Sequence, residues 1–568
     1  MSKLVALKSA KTLGDVAVLL GYSASGMAYL LYKLPSASKY TKFEIPKKSG
    51  GFRVIAAPID SLKGLQRALA DLLNECRAEI ATARPRRPIA HGYRKGLSII
   101  TNAQSHKARR YVLNLDLKDF FPCFNFGRVR GFFLKDEDFA LDPKVATILA
   151  QIACFENSLP QGSPCSPVIA DMIGHILDVR LLKLAKTHRV TYSRYADDLT
   201  FSTNQKSFPR ALASGGNPPK TPWVLGIELT SIIQGAGFTI NPDKTRMQVR
   251  GSLQMVTGLT VNKKVNISQS YWRSARSMCW ALFSTGAYHL PSDKGPPSKM
   301  QNSLAPLEGI LSHIYNVKRN SGDPPNPKNE DAIFGYTIHF RFWFYRTFVA
   351  PTRPVIICEG KTDNVYLRNA IRRLASFHPK LGGFTASGGF RFAVGLFNYS
   401  NQVHKILGLR GGSGPLLTLI NTYQNNLKAY KVRPMAHPVI VLFDNDTGLN
   451  QSFCGQLKKR FGVNVSHAAT DPFFRLTDNL YLVKTPAVAG TATSCIEDLF
   501  DATTLGMTLN GKTFHVDKNG FDPTKHIGKA PFASKIVAPN APTISWSGFE
   551  PLLKRLTAVI DDYKPPGH

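Results

Sequence analysis

Acidic residues are scarce in this chain. Only 38 Asp and Glu stand against 72 Lys and Arg in 568 residues, leaving a formal net charge of +34. Such a shortage of negative charge points to a polyanionic partner, because a basic field attracts phosphate at long range. A chain merely kept soluble by its positive charge is the plainer alternative. Long apolar runs are missing too: none approaches the roughly 20 residues that a membrane-spanning helix needs, so no membrane partner is expected. The N-terminal stretch MSKLVALKSAKTLGDVAVLLGYSASG is an amphipathic pattern broken by charges, without a signal-peptide core or cleavage site. The eight cysteines are scattered and form no C-x-x-C pair. That argues against a disulfide frame or zinc site and for reduced thiols in a cytoplasmic protein. No internal repeat is visible.

What is present is globular material: 43% hydrophobic and 19% charged residues, in a chain long enough for two to four domains. Short helices lead to a hairpin-like stretch, FEIPKKSGGFRVIAAP, whose KKSGG turn carries two lysines. LKGLQRALADLLNECRAEI has a strong helical period, and ATARPRRP is a basic loop. YVLNLDLKDFF reads as an apolar strand, SPCSPVIADMIGHILDVRLLKLAK as a helix, VTYSRYADDLTFST as a hairpin and GFTINPDKTRMQV as a further strand and turn. Breaks rich in Pro, Gly and Ser fall at SFPRALASGGNPPKTP, LPSDKGPPSKMQNS and NSGDPPNPKNED. From Arg353 the rhythm changes: the strands PVIICEG and HPVIVLFDND alternate with helices and a Gly-rich GLRGGSG turn, predicting an α/β domain with a parallel sheet.

Asp197 and Asp198 sit side by side in a run of aromatic and β-branched residues, where strands usually exclude Asp. Paired carboxylates repel, and a bound cation would offset that repulsion. Phosphoryl transfer needs such cations to neutralise phosphate and position the attacking oxygen, and Mg²⁺ is held by a few carboxylates while keeping waters and phosphate oxygens. Asp116, closing another apolar run, offers the third carboxylate. An exposed Asp-Asp turn is the competing reading of the pair alone.

The motifs LDLKDFF, LPQGSPCSP, YADD and GFTINPDKTR, in that order over roughly residues 45 to 260, resemble the reverse transcriptase family. The resemblance implies a right-hand polymerase with fingers, palm and thumb. It makes Asp116 and Asp197 ligands of a two-metal Mg²⁺ site with Asp198 beside them. It places Phe121 as an aromatic gate against the 2′-hydroxyl, Gln161 and Gly162 against nucleotide and template, and Lys244 and Arg53 on the dNTP phosphates. For Phe121, ordinary core packing is an equal alternative. Asn102, Ala103 and His106 form an N-A-x-x-H pattern, and Val256, Thr257 and Gly258 a V-T-G pattern, both similar to motifs of retron reverse transcriptases. That likeness implies RNA-binding roles for Asn102, His106, Val256, Thr257 and Gly258. It further implies a structured noncoding template RNA and a branched RNA–DNA product primed from a 2′-hydroxyl (msDNA), with a separate RNase H trimming the template. A bacterial cytoplasmic setting and antiphage defence come with it. The basic, aromatic stretch YWRSARSMCWALF suits thumb helices that track a duplex. A mobile-intron reverse transcriptase is the rival, but no maturase segment or zinc-bearing endonuclease is visible.

In the last third, Glu359 ends one apolar strand and Asp444 and Asp446 end another. Open parallel sheets place ligands beyond the carboxyl ends of their strands, so these acids converge, again as for Mg²⁺. Glu-Gly after one strand, Asp-x-Asp after a later one and GGSG between resemble the TOPRIM fold of topoisomerases, primases and a group of nucleases. Asp363 matches the nuclease-like branch, and SCIEDLF offers Glu497 and Asp498. No tyrosine is marked as a topoisomerase nucleophile and no zinc module as a primase partner, so a Mg²⁺-dependent nuclease with Glu359 as proton donor or acceptor is expected; a non-catalytic binding module is the alternative. The expected organisation is multidomain, α/β and α+β: fingers and palm over 1–250, thumb over 251–320, a linker over 321–352, TOPRIM over 353–500, and an extension over 501–568 without assigned chemistry. Oligomeric state is left open.

Overall fold

A computed structural model describes the chain except for residues 1, 48–49, 86, 216–221, 292–299, 322–335, 400–401, 447, 489–490, 492, 517–519 and 567–568. Parts of the three Pro-rich breaks and of the KKSGG turn therefore lie outside the described residues. The chain divides into two compact units, one running to Ser268 and the other comprising Gln269–Arg319 and the described residues beyond 335.

In the first unit, β1 (Tyr40–Pro46) and β2 (Phe52–Pro58) form an antiparallel hairpin. The helix α1 (Asp60–Ala83) buries Leu62, Leu65, Leu69, Leu73 and Cys76 at three- and four-residue spacing, the stripe of a helix packed on a core. The short α2 (Ile99–Gln104) precedes β3 (Tyr111–Lys118), the centre of the main sheet. Next comes α3 (Ser166–Thr187), then the hairpin of β4 (Thr191–Tyr195) and β5 (Asp198–Thr203). β5 pairs with one edge of β3, and β6 (Thr239–Ile240) and β7 (Arg246–Val249) with the other, all antiparallel. The hairpin is covered on both sides. Tyr192 stacks on Phe201 on one face, while Ser193, Thr200 and Ser202 lie buried on the other. A tight pair, β8 (Met255–Val256) and β9 (Leu259–Thr260), closes the unit.

The second unit starts inside the span expected for the thumb. The last turn of its α4 (Gln269–Thr285) carries Phe283, whose ring meets Tyr345 and Tyr430 and whose carbonyl accepts from the Lys431 N–H at 2.9 Å. α5 is Ala305–Asn320. Then follow β10 (Val355–Cys358), α6 (Asp363–Arg373), the hairpin β11 (Gly382–Phe384) and β12 (Phe390–Phe392), β13 (Gly395–Leu396), α7 (Ser413–Leu427), β14 (Val439–Phe443), β15 (Phe474–Thr477) and β16 (Leu480–Lys484). The sheet order is β13-β10-β14-β16-β15, parallel except for β15. β14 is buried along its whole length, as a strand covered on both faces must be. Described residues beyond 500 belong to this fold. Phe532, Ile536, Trp546 and the apolar face of α8 (Glu550–Asp562) share one core with Ile356, Tyr366 and Leu442. Among the described residues, no single helix is long and apolar enough to cross a membrane.

Candidate active sites

Asp116 and Asp198 are directly opposed across β3 and β5, and the Asp197 carbonyl accepts from the Leu117 N–H at 3.0 Å. Sheet pairing thus sets three carboxylates at one end of a rigid ladder. Asp116 is buried, and its oxygens are engaged: Lys244 Nζ donates to Oδ2 at 2.6 Å and Asn241 Nδ2 to Oδ1 at 3.2 Å. Burial, followed by repulsion from Asp197 and Asp116, pushes the Asp198 carboxyl up to about 7. Asp197 is raised for the same reasons, opposed by Lys244 and Arg53. The three acids hold more negative charge than Lys244 neutralises, which suits a divalent cation. Among the described residues, however, no three His, Cys, Asp or Glu side chains are arranged as they stand to hold one metal ion; here Lys244 occupies the Asp116 oxygen.

The turn that presents Asp197 is anchored from beneath. Ala196 adopts a positive φ of 55°, and its carbonyl accepts from Arg194 Nη1 at 3.2 Å. Arg194 is fully buried, with Nε and Nη2 each 2.8 Å from the Asp178 carboxylate and Nη2 3.0 Å from Asp171 Oδ1. Burial opposes its charge, but Asp178 and Asp171 outweigh it and hold the group firmly protonated. Arg77 and Arg94 complete Asp171 at 2.9 and 2.8 Å, and Tyr192 donates to Asp178 at 2.8 Å. Gly174 lets the guanidinium lie flat on α3, since a Cβ there would stand 3.0 Å from it.

In the second unit the acids meet at the carboxyl ends of parallel strands. Glu359 follows β10, and one of its oxygens accepts from the Asp444 N–H, which follows β14, at 3.4 Å. Asp363 accepts from the Gly360 N–H at 2.7 Å. Asp444 Oδ1 is held by Thr485 Oγ1 at 3.0 Å and the Ile496 N–H at 2.9 Å. Glu497 is wholly buried and paired with Lys529 at 3.0 Å. Burial first, then neighbouring carboxylates, lifts Glu359 to about 7 and Asp444 to about 8 and raises Asp363. Lys529 stays protonated against its burial because of Glu497. Asp446 adds to the repulsion on Glu359, whereas Asp498 is exposed and turns back to cap the Cys495 N–H at 2.7 Å.

Against known proteins, the profile of the reverse transcriptase (RNA-dependent DNA polymerase) family matches residues 45–267. The chain is 36% identical over 288 residues to the retron Mx65 reverse transcriptase of Myxococcus xanthus, covering 47% of this chain and 62% of that one. It is 30% identical over 287 residues to the retron Ec86 reverse transcriptase of Escherichia coli, covering 50% of this chain and 78% of that one. The chain belongs to the retron reverse transcriptase family. It spans less than two thirds of the Mx65 enzyme and of the Mx162 enzyme of the same organism, 62% and 64%. Among solved structures it is similar to the telomerase of Candida albicans with a fragment of telomeric RNA, at 10% identity and a TM-score of 0.31 over 70% of this chain and 68% of that one. That likeness is too slight to support any argument.

The retron motifs land in unequal places. Asn102 and His106 are fully buried: the His106 ring nitrogens lie 2.7 Å from Ser202 and Ser193, and Ser193 donates to Asn102 at 2.6 Å. These two, expected to touch RNA, present no exposed surface in this structure and clamp the polar face of the β4–β5 hairpin. Val256 is buried as well, while Thr257 and Gly258, both at positive φ, form the turn between β8 and β9. Thr257 donates to the Ile99 carbonyl of α2 at 3.1 Å, so the two motifs pack together. Arg53 is exposed on β2 and bears on Asp197. The Gln161 carbonyl accepts from the Ala56 N–H of β2 at 2.8 Å. Phe121 is half-buried against Tyr93 and Phe120, at the core's margin. Sequence reasoning missed Arg194, Asp171, Asp178, Asn241 and Lys529. Only Arg194, next to YADD, carried a visible signal, a lone cation inside a buried-type strand.

Proposed function

We propose that this chain is the RNA-directed DNA polymerase of a retron, copying part of its own structured noncoding RNA into branched, RNA-linked single-stranded DNA. The observation that supports it best is the meeting of Asp116, Asp197 and Asp198 with Lys244 and Arg53 in a chain of retron kinship. The three carboxylates would hold Mg²⁺, which supplies charge neutralisation on the triphosphate and a better nucleophile at the primer terminus. The protein's own part is positional. The β3–β5 ladder fixes the acids, Lys244 and Arg53 bind phosphate, and Phe121 bears on the sugar. Replacing Asp197 by Asn should abolish DNA synthesis and leave RNA binding intact. The assay is small single-stranded DNA on a denaturing gel from cells carrying the gene with its native flanks. Continued dNTP incorporation by the variant would overturn the assignment.

A second reading concerns residues beyond 353. Glu359, Asp363, Asp444, Asp446 and Glu497 at the carboxyl ends of a parallel sheet support a TOPRIM-type, Mg²⁺-dependent nuclease acting as the effector in antiphage defence. Glu359, neutral or charged near pH 7, suits proton transfer. Toxicity that survives Glu359→Ala, with branched DNA still made, would exclude it.

A further inference from the structure

The acid cluster of the second unit adjoins a surface of opposite charge. Between residues 364 and 399 there is no Asp or Glu, but there are five cations: Arg368, Arg372, Arg373, Lys380 and Arg391. Lys380 is paired with Asp561 and is thereby neutralised. Arg368, Arg372, Arg373 and Arg391 are all exposed.

Two of these arginines are set against rings. The β11–β12 hairpin pairs Phe384 with Phe390 and Gly382 with Phe392, so the three phenylalanines share one face. The Arg368 guanidinium lies 5.3 Å from the Phe392 ring and that of Arg372 5.4 Å from Phe390. Such stacking limits rotamers and leaves the N–H edges free to bind phosphate. Arg353 donates to the Phe392 carbonyl at 3.1 Å and adds a further cation at the rim. Phe384, 65% exposed, stands at the hairpin end, and Phe377, 71% exposed, follows α6. Large exposed rings beside unpaired arginines are the means by which proteins hold single strands: bases stack on the rings and the backbone tracks the cations.

Position gives the surface its direction. Asp363, one of the clustered acids, opens α6, and Arg368 and Arg372 lie further along the same helix. At about 1.5 Å rise per residue, Arg372 lies roughly 13 Å from Asp363 along the helix axis. We propose that α6 and the β11–β12 hairpin form a guide for single-stranded nucleic acid, which delivers a phosphodiester to Glu359, Asp444 and their neighbours. The cation-π pairs hold the guide in shape before any strand arrives. The proposal rests on the nuclease reading for the fate of the strand, but not for its binding.

The test uses the full-length protein and a 20-nucleotide oligothymidylate carrying 5-iodo-deoxyuridine, cross-linked by ultraviolet light without divalent cation and mapped by peptide mass spectrometry. The wild type should yield an adduct within residues 377–399. That adduct should fall at least tenfold in Arg368→Glu/Arg372→Glu and persist in Arg368→Lys/Arg372→Lys, with any adducts before residue 268 unchanged in all three. No adduct in the wild type, or one undiminished by charge reversal, would overturn the guide. So would an adduct lost equally in the lysine variant, which would mark the arginines as packing groups. Protein sedimenting with anionic phospholipid vesicles, with no adduct formed, would assign the surface to membrane. Cleavage of the oligonucleotide with Mg²⁺ is followed separately. An adduct without cleavage sensitive to Glu359→Gln would leave the guide standing and remove the nuclease; Glu359-dependent cleavage without the adduct would do the reverse.

Discussion

Lys244 Nζ stands 2.6 Å from Asp116 Oδ2, so the carboxylate on which a divalent ion would be centred already carries a cation. In the proposed polymerase, lysine and metal would compete for that oxygen, and a bound triphosphate would draw the lysine away. Replacing Lys244 by Ala should therefore shift two constants in opposite directions. The Mg²⁺ concentration for half-maximal synthesis should fall, because Asp116 is released. The KM for dNTP should rise about tenfold, the worth of one charge-assisted hydrogen bond. Initial rates over a grid of Mg²⁺ and dNTP concentrations check both.

Arg194 should prove more important for folding than its neighbours suggest. Removing it leaves Asp178 and Asp171 buried with too little compensation. Breaking a buried ion pair costs about 3–5 kcal/mol, so Arg194→Met should lower the urea midpoint of the first unit sharply. An unchanged midpoint would mean that water reaches the two aspartates.

Gly162 sits at φ 126° with Ala56 O only 2.6 Å from where a Cβ would stand. Alanine there must lift the 160–164 loop off β2 at a cost of about 1–3 kcal/mol. Polymerase kcat/KM should drop at least tenfold while the α-helical circular dichroism is retained; an active Gly162→Ala enzyme would show that the loop need not rest on β2.

The His106 imidazole is held neutral, its pKa carried down to about 3 by burial. In the unfolded chain it titrates near 6.5. Between those values the unfolded state binds a proton that the folded state refuses, so stability is lost as pH falls from 6.5 toward 3. Going from pH 7 to pH 5 should cost up to about 2 kcal/mol from this group alone. Urea midpoints of wild type and His106→Gln at both pH values measure it, and equal losses in the two proteins would assign the effect elsewhere.

His106 also shows where sequence reading ran out. The N-A-x-x-H spacing is legible, but a motif says only that residues recur, not which way their side chains point. Its partners, Ser193 and Ser202, come from strands nearly a hundred residues on, and pairing alone brings them together. The YADD hairpin and the strands ending in Glu359 and Asp444 were readable because alternation and apolar runs are local properties. Lys529 was not, since one lysine in an unassigned extension gives no sign that it neutralises Glu497. Nor does the apolar stripe of Glu550–Asp562 name the core it completes.

Phe283 bonded into the body that carries the acidic crevice has a bearing on how such proteins diversify. A cut at the Pro-rich joint near residue 321 would orphan the aromatic seat of Phe283 on Tyr345 and Tyr430. Chimaeras joined at Gln269, where the second unit begins, should therefore fold where those joined at 353 fail.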